Sequence, residues 1–375
     1  MVNLNFDFMT ISQTSISVSK LIVPRSKMRK AVKDYQESAK LANLVYVNDK
    51  EEGIARKKNN GRFSYYLKDK KISDKKILQR INQLVIPPAW ENVWICQNEN
   101  GHIQVTGVDA KNRKQYRYHP AWSNLRDQTK YCRLRDFSHA LPEIRARIKE
   151  DLCQRGFPKN KVLAAVVSIM ESTSIRVGNS MYEKLYGSYG LSTMKDRHVK
   201  IQGQEVQFSF KGKKGVYHKI SLKSKKLAHI VSQCKDIPGK ELFQYFDEKG
   251  NNHSIDSGDV NDYIREISGG DFTSKDFRTW TGTVKCLQAF SNLGHGENNT
   301  QVKRLMNEAM DIVAHQLGNT RSVCKKHYIH PGILADYESG KLEKYIKQIQ
   351  EIEMDCNSDA IITPTEKVLV KILEH

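Results

Sequence analysis

The sequence predicts an α+β protein of two domains: a small β-rich N-terminal domain, then a larger, mainly helical domain that contains a small β-sheet. The first observation is the length of 375 residues, because single hydrophobic cores stop growing at about 250–300 residues. The second is a change near residue 119 from strand-like runs to helical periodicity. We expect an N-terminal extension over residues 1–30, domains over 31–120 and 121–345, and a C-terminal tail over 346–375.

The charge balance of the chain is strongly basic, with 61 Lys and Arg residues against 42 Asp and Glu and a formal net charge of +19. This balance favours a polyanionic partner, and nucleic acid is the first expectation. A membrane surface is the alternative, but no apolar run in the sequence approaches the roughly 20 residues that cross a bilayer.

The cysteines indicate a reducing compartment. There are 7 of them, scattered and never in a Cys-x-x-Cys pair, which also argues against a structural zinc site. The N-terminal stretch lacks a basic region and carries Asp7, so it does not have the pattern of a signal peptide. We therefore expect a cytoplasmic, nucleoid-associated protein.

The N-terminal domain begins with a predicted strand from Arg62 to Leu67 and a helix capped by Ser73. Two further strand-like runs, 93–96 and 102–106, flank a turn. Basic and aromatic residues then alternate up to His119, a pattern that suits contact with phosphates and bases, although a solvated hairpin would look the same. The predicted DNA-binding residues of this segment are Lys111, Arg113, Lys114, Tyr116 and Tyr118.

Helical patterns open the second domain, over 137–153 and 161–173. Arg176 follows the second helix, where it is either directed inward or an ordinary surface arginine. Alternating apolar residues between 199 and 222 predict a small sheet whose hairpin turn is rich in lysine. This turn either enters a DNA groove or simply aids solubility. Its candidate residues are Lys213 for catalysis and Lys211 and Lys214 for DNA binding.

Helices dominate the rest of the chain. They are predicted over 227–234 and 259–267, then from a cap at Thr273 or Ser274 through Arg278 to residue 290. A further helix begins near residue 299 and ends at Gly318. The tail over 341–375 is predicted to be mostly helical, with a break at 357–359 and Pro364.

The stretch from Leu317 to Pro331, LGNTRSVCKKHYIHP, delivers Tyr328 among several cations after a helix stop. A tyrosine hydroxyl is a weak nucleophile at neutral pH and needs cations or a base to react. Taken alone, Tyr328 is better explained as an ordinary half-buried tyrosine with a polar tip. Whether His315, His327 or His330 takes part is left open by the sequence.

These residues together suit phosphodiester chemistry. Arginines match the non-bridging oxygens, and a lysine with a lowered pKa can protonate a leaving alkoxide. A phosphotyrosyl ester conserves the bond energy, so cleavage can be reversed without ATP or metal. The sequence contains no phosphate-binding loop, no acidic cluster for two metals and no His/Cys ligand set. We therefore expect no cofactor and no metal.

The motifs IRVGN, FKGKKGVYH, KDFRTWTGT, LGNT and SVCKKHY resemble the active site of type IB DNA topoisomerases, especially the short bacterial and poxvirus-like group. The upstream stretches IPPAWENVW, GHIQVTGVDAKNRKQYRYHPAW and NSMYEKLYGSYGLSTMKDRHV are similar to the same group. The resemblance runs from about residue 30 to 345, with the motifs in the family order, and it implies the fold shared by these enzymes and tyrosine recombinases.

The resemblance implies a role for each matching residue. Tyr328 would form a 3′-phosphotyrosyl link, while Arg176 and Arg278 bind the non-bridging oxygens. Lys213 would protonate the 5′-oxygen, with Lys275 or Arg176 assisting. Asn319 stands where viral and eukaryotic members carry histidine. It can hydrogen-bond a phosphate but cannot carry a charge. The implied partner is supercoiled duplex DNA, clamped by a monomer.

Two alternatives remain from the sequence. Tyrosine recombinases carry a similar set, but their second arginine lies in a His-x-x-Arg motif, whereas this chain has Lys275 at that position before Arg278. A basic DNA-binding protein without catalysis is compatible with the composition alone. It would leave the ordered set of reactive residues unexplained.

Overall fold

The computed structural model describes residues 34–59, 61–110, 112–355 and 361–374. The expected extension over residues 1–30 lies outside this range. The chain divides into two compact units after Arg133, inside a long helix that begins at Pro120. The β-rich first unit and the mainly helical second unit confirm the predicted fold class.

The first unit is built on a six-stranded antiparallel sheet and two helices. Its elements are α1 (Tyr35–Leu41), β1 (Ile54–Asn59), β2 (Arg62–Leu67), β3 (Lys70–Lys71), α2 (Lys75–Gln83), β4 (Glu91–Ile95), β5 (Ile103–Val108) and β6 (Lys114–Tyr118). The strand order is β3-β2-β1-β4-β5-β6. The apolar face of the sheet packs on α2 around Ile81, Ile95 and Val105.

Two predicted helix starts are wrong. Asp74, not Ser73, caps α2, because its carboxylate accepts the backbone N–H groups of Lys76 and Ile77. Helix α3 spans Pro120–Asp151 instead of beginning at residue 137. Proline is well tolerated in the first helical turn, where its missing N–H has no partner to lose. The first turns of α3 carry few apolar residues, which hid their periodicity.

In the second unit, helices and a three-stranded antiparallel sheet pack around one large hydrophobic core. The strands of this sheet are neighbours in the order in which they follow one another along the chain. The early elements of the unit are α4 (Lys159–Thr173), α5 (Ser180–Tyr186), β7 (Val199–Gln202), β8 (Glu205–Lys211), β9 (Tyr217–Lys223), α6 (Lys225–Lys235), β10 (Gln244–Phe246) and β11 (Asn252–Ser254). The later helices are α7 (Ser257–Ser268), α8 (Ser274–Leu293), α9 (Asn299–Leu317), α10 (Arg321–His327), α11 (Pro331–Glu338), α12 (Glu343–Asp355) and α13 (Pro364–Glu374).

The sequence predicted two of the helices around the candidate site, α8 and α9, but not the short helix α10 that precedes Tyr328. Helix α8 has Thr273 as its cap, paired with Asp276 in a reciprocal capping box. Helix α9 ends at Gly318, which adopts a left-handed φ of 58°. No helix in the described part of the chain is both long and apolar enough to cross a bilayer.

Candidate active site

Four of the six candidate catalytic residues line one cleft of about 830 Å³ in the second unit: Arg176, Lys213, Asn319 and Tyr328. Arg278 lies beside them, with its guanidinium carbon 5.0 Å from the centre of the Tyr328 ring. The cleft therefore brings together residues from four separate segments of the chain.

Tyr328 is held by the ends of short helices. After Gly318 turns the chain, Thr320 caps α10 through a hydrogen bond from the N–H of Val323. Tyr328 closes the same helix, and its N–H donates to the carbonyl of Cys324 at 2.9 Å. The basic segment predicted before Tyr328 is thus a helix of two turns, which fixes the direction of the tyrosine.

Helix α8 grips the main chain of Tyr328 from the other side. A Cβ atom at Gly282 would lie 2.6 Å from the Tyr328 carbonyl oxygen, so only glycine permits this approach. The Thr283 hydroxyl donates to the same carbonyl at 3.2 Å. Sequence reasoning missed both residues. The available signal was a glycine inside a helix, which costs about 1 kcal/mol relative to alanine and needs a packing reason.

Arg278 is almost completely buried, with 6% of its surface exposed. One guanidinium nitrogen donates to the Ser174 carbonyl, and the other donates to the Leu317 carbonyl at 3.0 Å. Its Nε is buried and has no hydrogen-bond partner among the described residues. Buried donors of this kind are rare in proteins, so a cation fixed by two carbonyls and retaining a spare donor is suited to an anionic ligand.

Arg176 follows α4 in an extended segment held by a second glycine contact. The N–H of Leu191 donates to the Arg176 carbonyl at 3.0 Å. A Cβ at Gly190 would lie only 2.5 Å from that carbonyl oxygen, so the YGLST stretch has to carry glycine there. The Arg176 guanidinium donates to the side-chain oxygen of Asn319 at 2.6 Å, which aims the cation at the cleft.

The cations around Tyr328 change its acidity. Burial by itself raises the pKa of Tyr328, but the charge of Arg278, a hydrogen bond from Arg278, and the charges of Arg176 and Lys213 together lower it below its ordinary value. Burial and the nearby Arg278 lower the pKa of Arg176, although an arginine remains charged at any working pH. The site therefore favours a phenolate among fixed positive charges.

Lys213 stands exposed on the turn between β8 and β9 and lines the cleft, as does Lys214, whose φ is 62°. Lys211 ends β8 and is also exposed. Lys275 is exposed in the first turn of α8 and does not line the cleft. The structure thus brings Lys213, but not Lys275, to the tyrosine.

The predicted DNA-binding segment of the first unit is described only in part, because Lys111 lies outside the described residues. Arg113 pairs with Asp109 at 2.6 Å, and Lys114 pairs with Asp49 at 2.5 Å. Tyr116 and Tyr118 are exposed and stacked, with ring centroids 5.8 Å apart. The segment therefore presents the rings of Tyr116 and Tyr118 to solvent, whereas Arg113 and Lys114 are already paired with acidic side chains.

The nearby histidines separate into two kinds. His315 and His327 line the cleft. His330 is structural, because its Nδ1 accepts the N–H of Gly332 at 3.0 Å and caps α11. Burial lowers the pKa of His330 to about 4, so it is neutral at physiological pH. No group of three or more His, Cys, Asp or Glu side chains suited to a metal occurs among the described residues.

The fold and the site together define a class of protein. A tyrosine lies beside one buried arginine, one half-buried arginine and a hairpin lysine, on the mainly helical unit of a chain that also carries a β-rich unit. This arrangement is expected of an enzyme that breaks and rejoins phosphodiesters through a tyrosyl ester. The same set would serve a recombinase or a topoisomerase, so the fold and site alone leave the member open.

Comparison with known proteins settles the family. Residues 113–356 match the family described as "Eukaryotic DNA topoisomerase I, catalytic core", and residues 62–109 match "Bacterial DNA topoisomerase IB, N-terminal domain". The chain is 33% identical over 297 residues to the DNA topoisomerase 1B of Acanthamoeba polyphaga mimivirus, covering 77% of this chain and 88% of that protein. It is 24% identical over 251 residues to the DNA topoisomerase 1B of Vaccinia virus (strain Copenhagen), covering 66% of this chain and 75% of that protein. The chain belongs to the type IB DNA topoisomerase family.

Proposed function

We propose that this protein relaxes supercoiled duplex DNA as a monomer, in the cytoplasm at the nucleoid, by cutting one strand, letting it rotate and resealing it. The observation that carries the proposal is the convergence of Tyr328, Arg278, Arg176 and Lys213 on one cleft. The first cut leaves a 3′-phosphotyrosyl link, and the reaction uses neither ATP nor a metal ion.

The chemistry assigns one task to each residue. Tyr328 gives up its hydroxyl proton to water, its phenolate oxygen bonds to phosphorus, and the bond from phosphorus to the 5′-oxygen breaks with its electron pair on that oxygen. Lys213 gives the 5′-oxygen a proton, while Arg176 and Arg278 hold the negative charge that develops on the non-bridging oxygens. Religation reverses each transfer. Because one ester replaces another, the energy of the original bond is retained and no energy source is needed.

Two surfaces are proposed to hold the duplex. In the second unit, Lys211 and Lys214 flank Lys213 on the hairpin turn and would contact phosphates. In the first unit, Tyr116 and Tyr118 offer exposed rings to the bases or sugars. The net charge of +19 supports a duplex substrate held mainly through its backbone.

The test is relaxation of supercoiled plasmid with EDTA present and ATP absent, comparing wild type with Tyr328→Phe. Tyr217→Phe is the matched control, since it removes a hydroxyl from an exposed tyrosine of the same cleft. We expect relaxation by wild type and by Tyr217→Phe, and none by Tyr328→Phe, which should still bind the plasmid.

Other results would point elsewhere. Relaxation by Tyr328→Phe would remove Tyr328 as the nucleophile. If all three proteins bind the plasmid and none of them relaxes it, the proposed catalysis is discarded and a DNA-binding function remains. Loss of activity in wild type on adding EDTA would discard the metal-independent mechanism.

A further inference from the structure

His218, on strand β9, fills a gap between the two segments that deliver Lys213 and Asn319. Its ring stacks on Phe210 of β8, with centroids 5.2 Å apart and planes inclined by 25°. The sequence alone assigns no role to His218, but its side chain lines the candidate active-site cleft.

The two edges of the His218 ring press on two glycines. A Cβ at Gly212 would lie 2.5 Å from the ring Cδ2, and a Cβ at Gly318 would lie 2.3 Å from the ring Cε1. Real Cβ atoms do not approach other atoms this closely, so both positions have to be glycine for the ring to fit. Gly212 immediately precedes Lys213, and Gly318 immediately precedes Asn319.

The backbone conformation separates the reasons for the two glycines. Gly318 has a φ of 58° as the cap of α9, a conformation that favours glycine in any case. Gly212 has a φ of −94°, which any residue adopts readily. Glycine at 212 is therefore explained by the His218 ring and not by the turn itself.

We propose that His218 is a positioning residue for the general acid: its ring sets the distance between the Lys213 turn and the end of α9 that carries Asn319. This inference rests on the proposed function, because it presumes that Lys213 protonates the 5′-oxygen. The turn beyond Gly212 is exposed, so the ring supports it from one side only. The ring contacts both the turn that carries Lys213 and the segment that carries Asn319, and Asn319 in turn binds Arg176.

The ionisation state of His218 suits this task. Burial and the charges of Arg176 and Arg278 lower its pKa, so the imidazole is neutral at physiological pH. A neutral ring separates the segments without adding a cation that would compete with the arginines for phosphate.

The test compares single-turnover cleavage of two DNA substrates, one with an ordinary phosphodiester and one with a 5′-bridging thiolate, whose leaving group needs no proton. We expect His218→Ala to cleave the ordinary substrate about 10²-fold more slowly, the size of effect that a misplacement of about 1 Å produces. On the thiolate it should approach the wild-type rate, as Lys213→Ala should. His253→Ala, which removes a histidine ring of strand β11 that packs at a tilt against Tyr245, is the matched control and should behave like wild type on both.

Gly212→Ala gives an independent check. Alone, its new methyl group collides with the ring and should slow cleavage of the ordinary substrate. Combined with His218→Ala, it should add no further loss, because the collision partner is gone. An additive loss in the double variant would overturn the contact as the cause.

The outcomes separate this inference from the proposed function. If wild type cleaves neither substrate, the proposed function fails. A second outcome is that wild type cleaves both substrates while His218→Ala shows the same loss of rate, relative to wild type, on both. In that case the ring supports the phosphate-binding arginines or the fold, and the positioning of Lys213 is overturned. An unchanged rate for His218→Ala on the ordinary substrate would overturn it as well.

Discussion

At the scale of single residues, Asn319 connects the two arginines. Its side-chain oxygen accepts from Arg176 at 2.6 Å, and its amide donates to the Leu317 carbonyl at 3.2 Å. The same carbonyl accepts from Arg278. One neutral side chain therefore fixes the spacing of two like charges that would otherwise repel each other, a task for which a third cation at this position would be poorly suited.

The acidity of Tyr328 gives a pH prediction. In the proposed mechanism the phenolate of Tyr328 attacks phosphorus, and the fraction of phenolate rises as the pH passes the pKa of Tyr328, which the neighbouring cations lower. With a 5′-thiolate substrate, single-turnover cleavage should rise with pH to a midpoint below the ordinary tyrosine pKa of about 10. Lys213→Ala removes one of those cations and should move the midpoint upward. A rate that is flat between about pH 6 and 10 would contradict an ionising tyrosine.

At the scale of elements, the C-terminal helix is anchored in the core of the second unit. Glu366 of α13 is 4% exposed and accepts two hydrogen bonds from Arg145, at 2.9 and 2.7 Å. The indole N–H of Trp280 donates to the same carboxylate at 2.8 Å. Trp280 lies two residues beyond Arg278, so this tail, outside the matched residues 113–356, braces the helix that carries an active-site cation.

This anchoring predicts a measurable stability effect. Glu366→Gln should lower the free energy of unfolding by about 1–3 kcal/mol, because Arg145 keeps its pair with Glu171 but loses the charged acceptor that Glu366 provides. Asp262→Asn, which breaks an exposed pair with Arg265, is the control and should cost about 0–1 kcal/mol. Denaturant unfolding followed by circular dichroism measures both. Equal, small losses would show that α13 contributes little to the core.

The sequence was informative where periodicity and caps mark an element. The helix from Ser274 and the stop at Gly318 were predictable because capping residues and apolar spacing agree at both ends. The approach of Gly282 to Tyr328 was not, since it depends on which helices pack together, and long-range packing leaves no local pattern. Glu366 was missed for the same reason: a carboxylate in a tail reads as exposed until its arginine is known.

At the scale of the whole molecule, the cations behind the net charge of +19 are not equally available to bind DNA phosphates. Arg113 and Lys114 of the first unit are paired with Asp109 and Asp49. On the hairpin turn of the second unit, Lys211 and Lys214 have no acidic partner among the described residues. Unpaired cations displace counterions from DNA directly, whereas paired ones have to give up a carboxylate first.

This difference predicts unequal salt effects on DNA binding. For the Tyr328→Phe protein, affinity for a duplex should fall steeply between about 50 and 200 mM salt. Adding Lys211→Ala and Lys214→Ala should reduce the log–log salt slope by about 1 for each phosphate that is no longer neutralised. Lys114→Ala should reduce the salt slope less. Removing this lysine leaves Asp49 unpaired, and the freed carboxylate repels the DNA without a matching change in the number of counterions released. Fluorescence anisotropy with a labelled duplex measures each slope. A slope that the double lysine variant leaves unchanged would remove the hairpin turn from the DNA-binding surface.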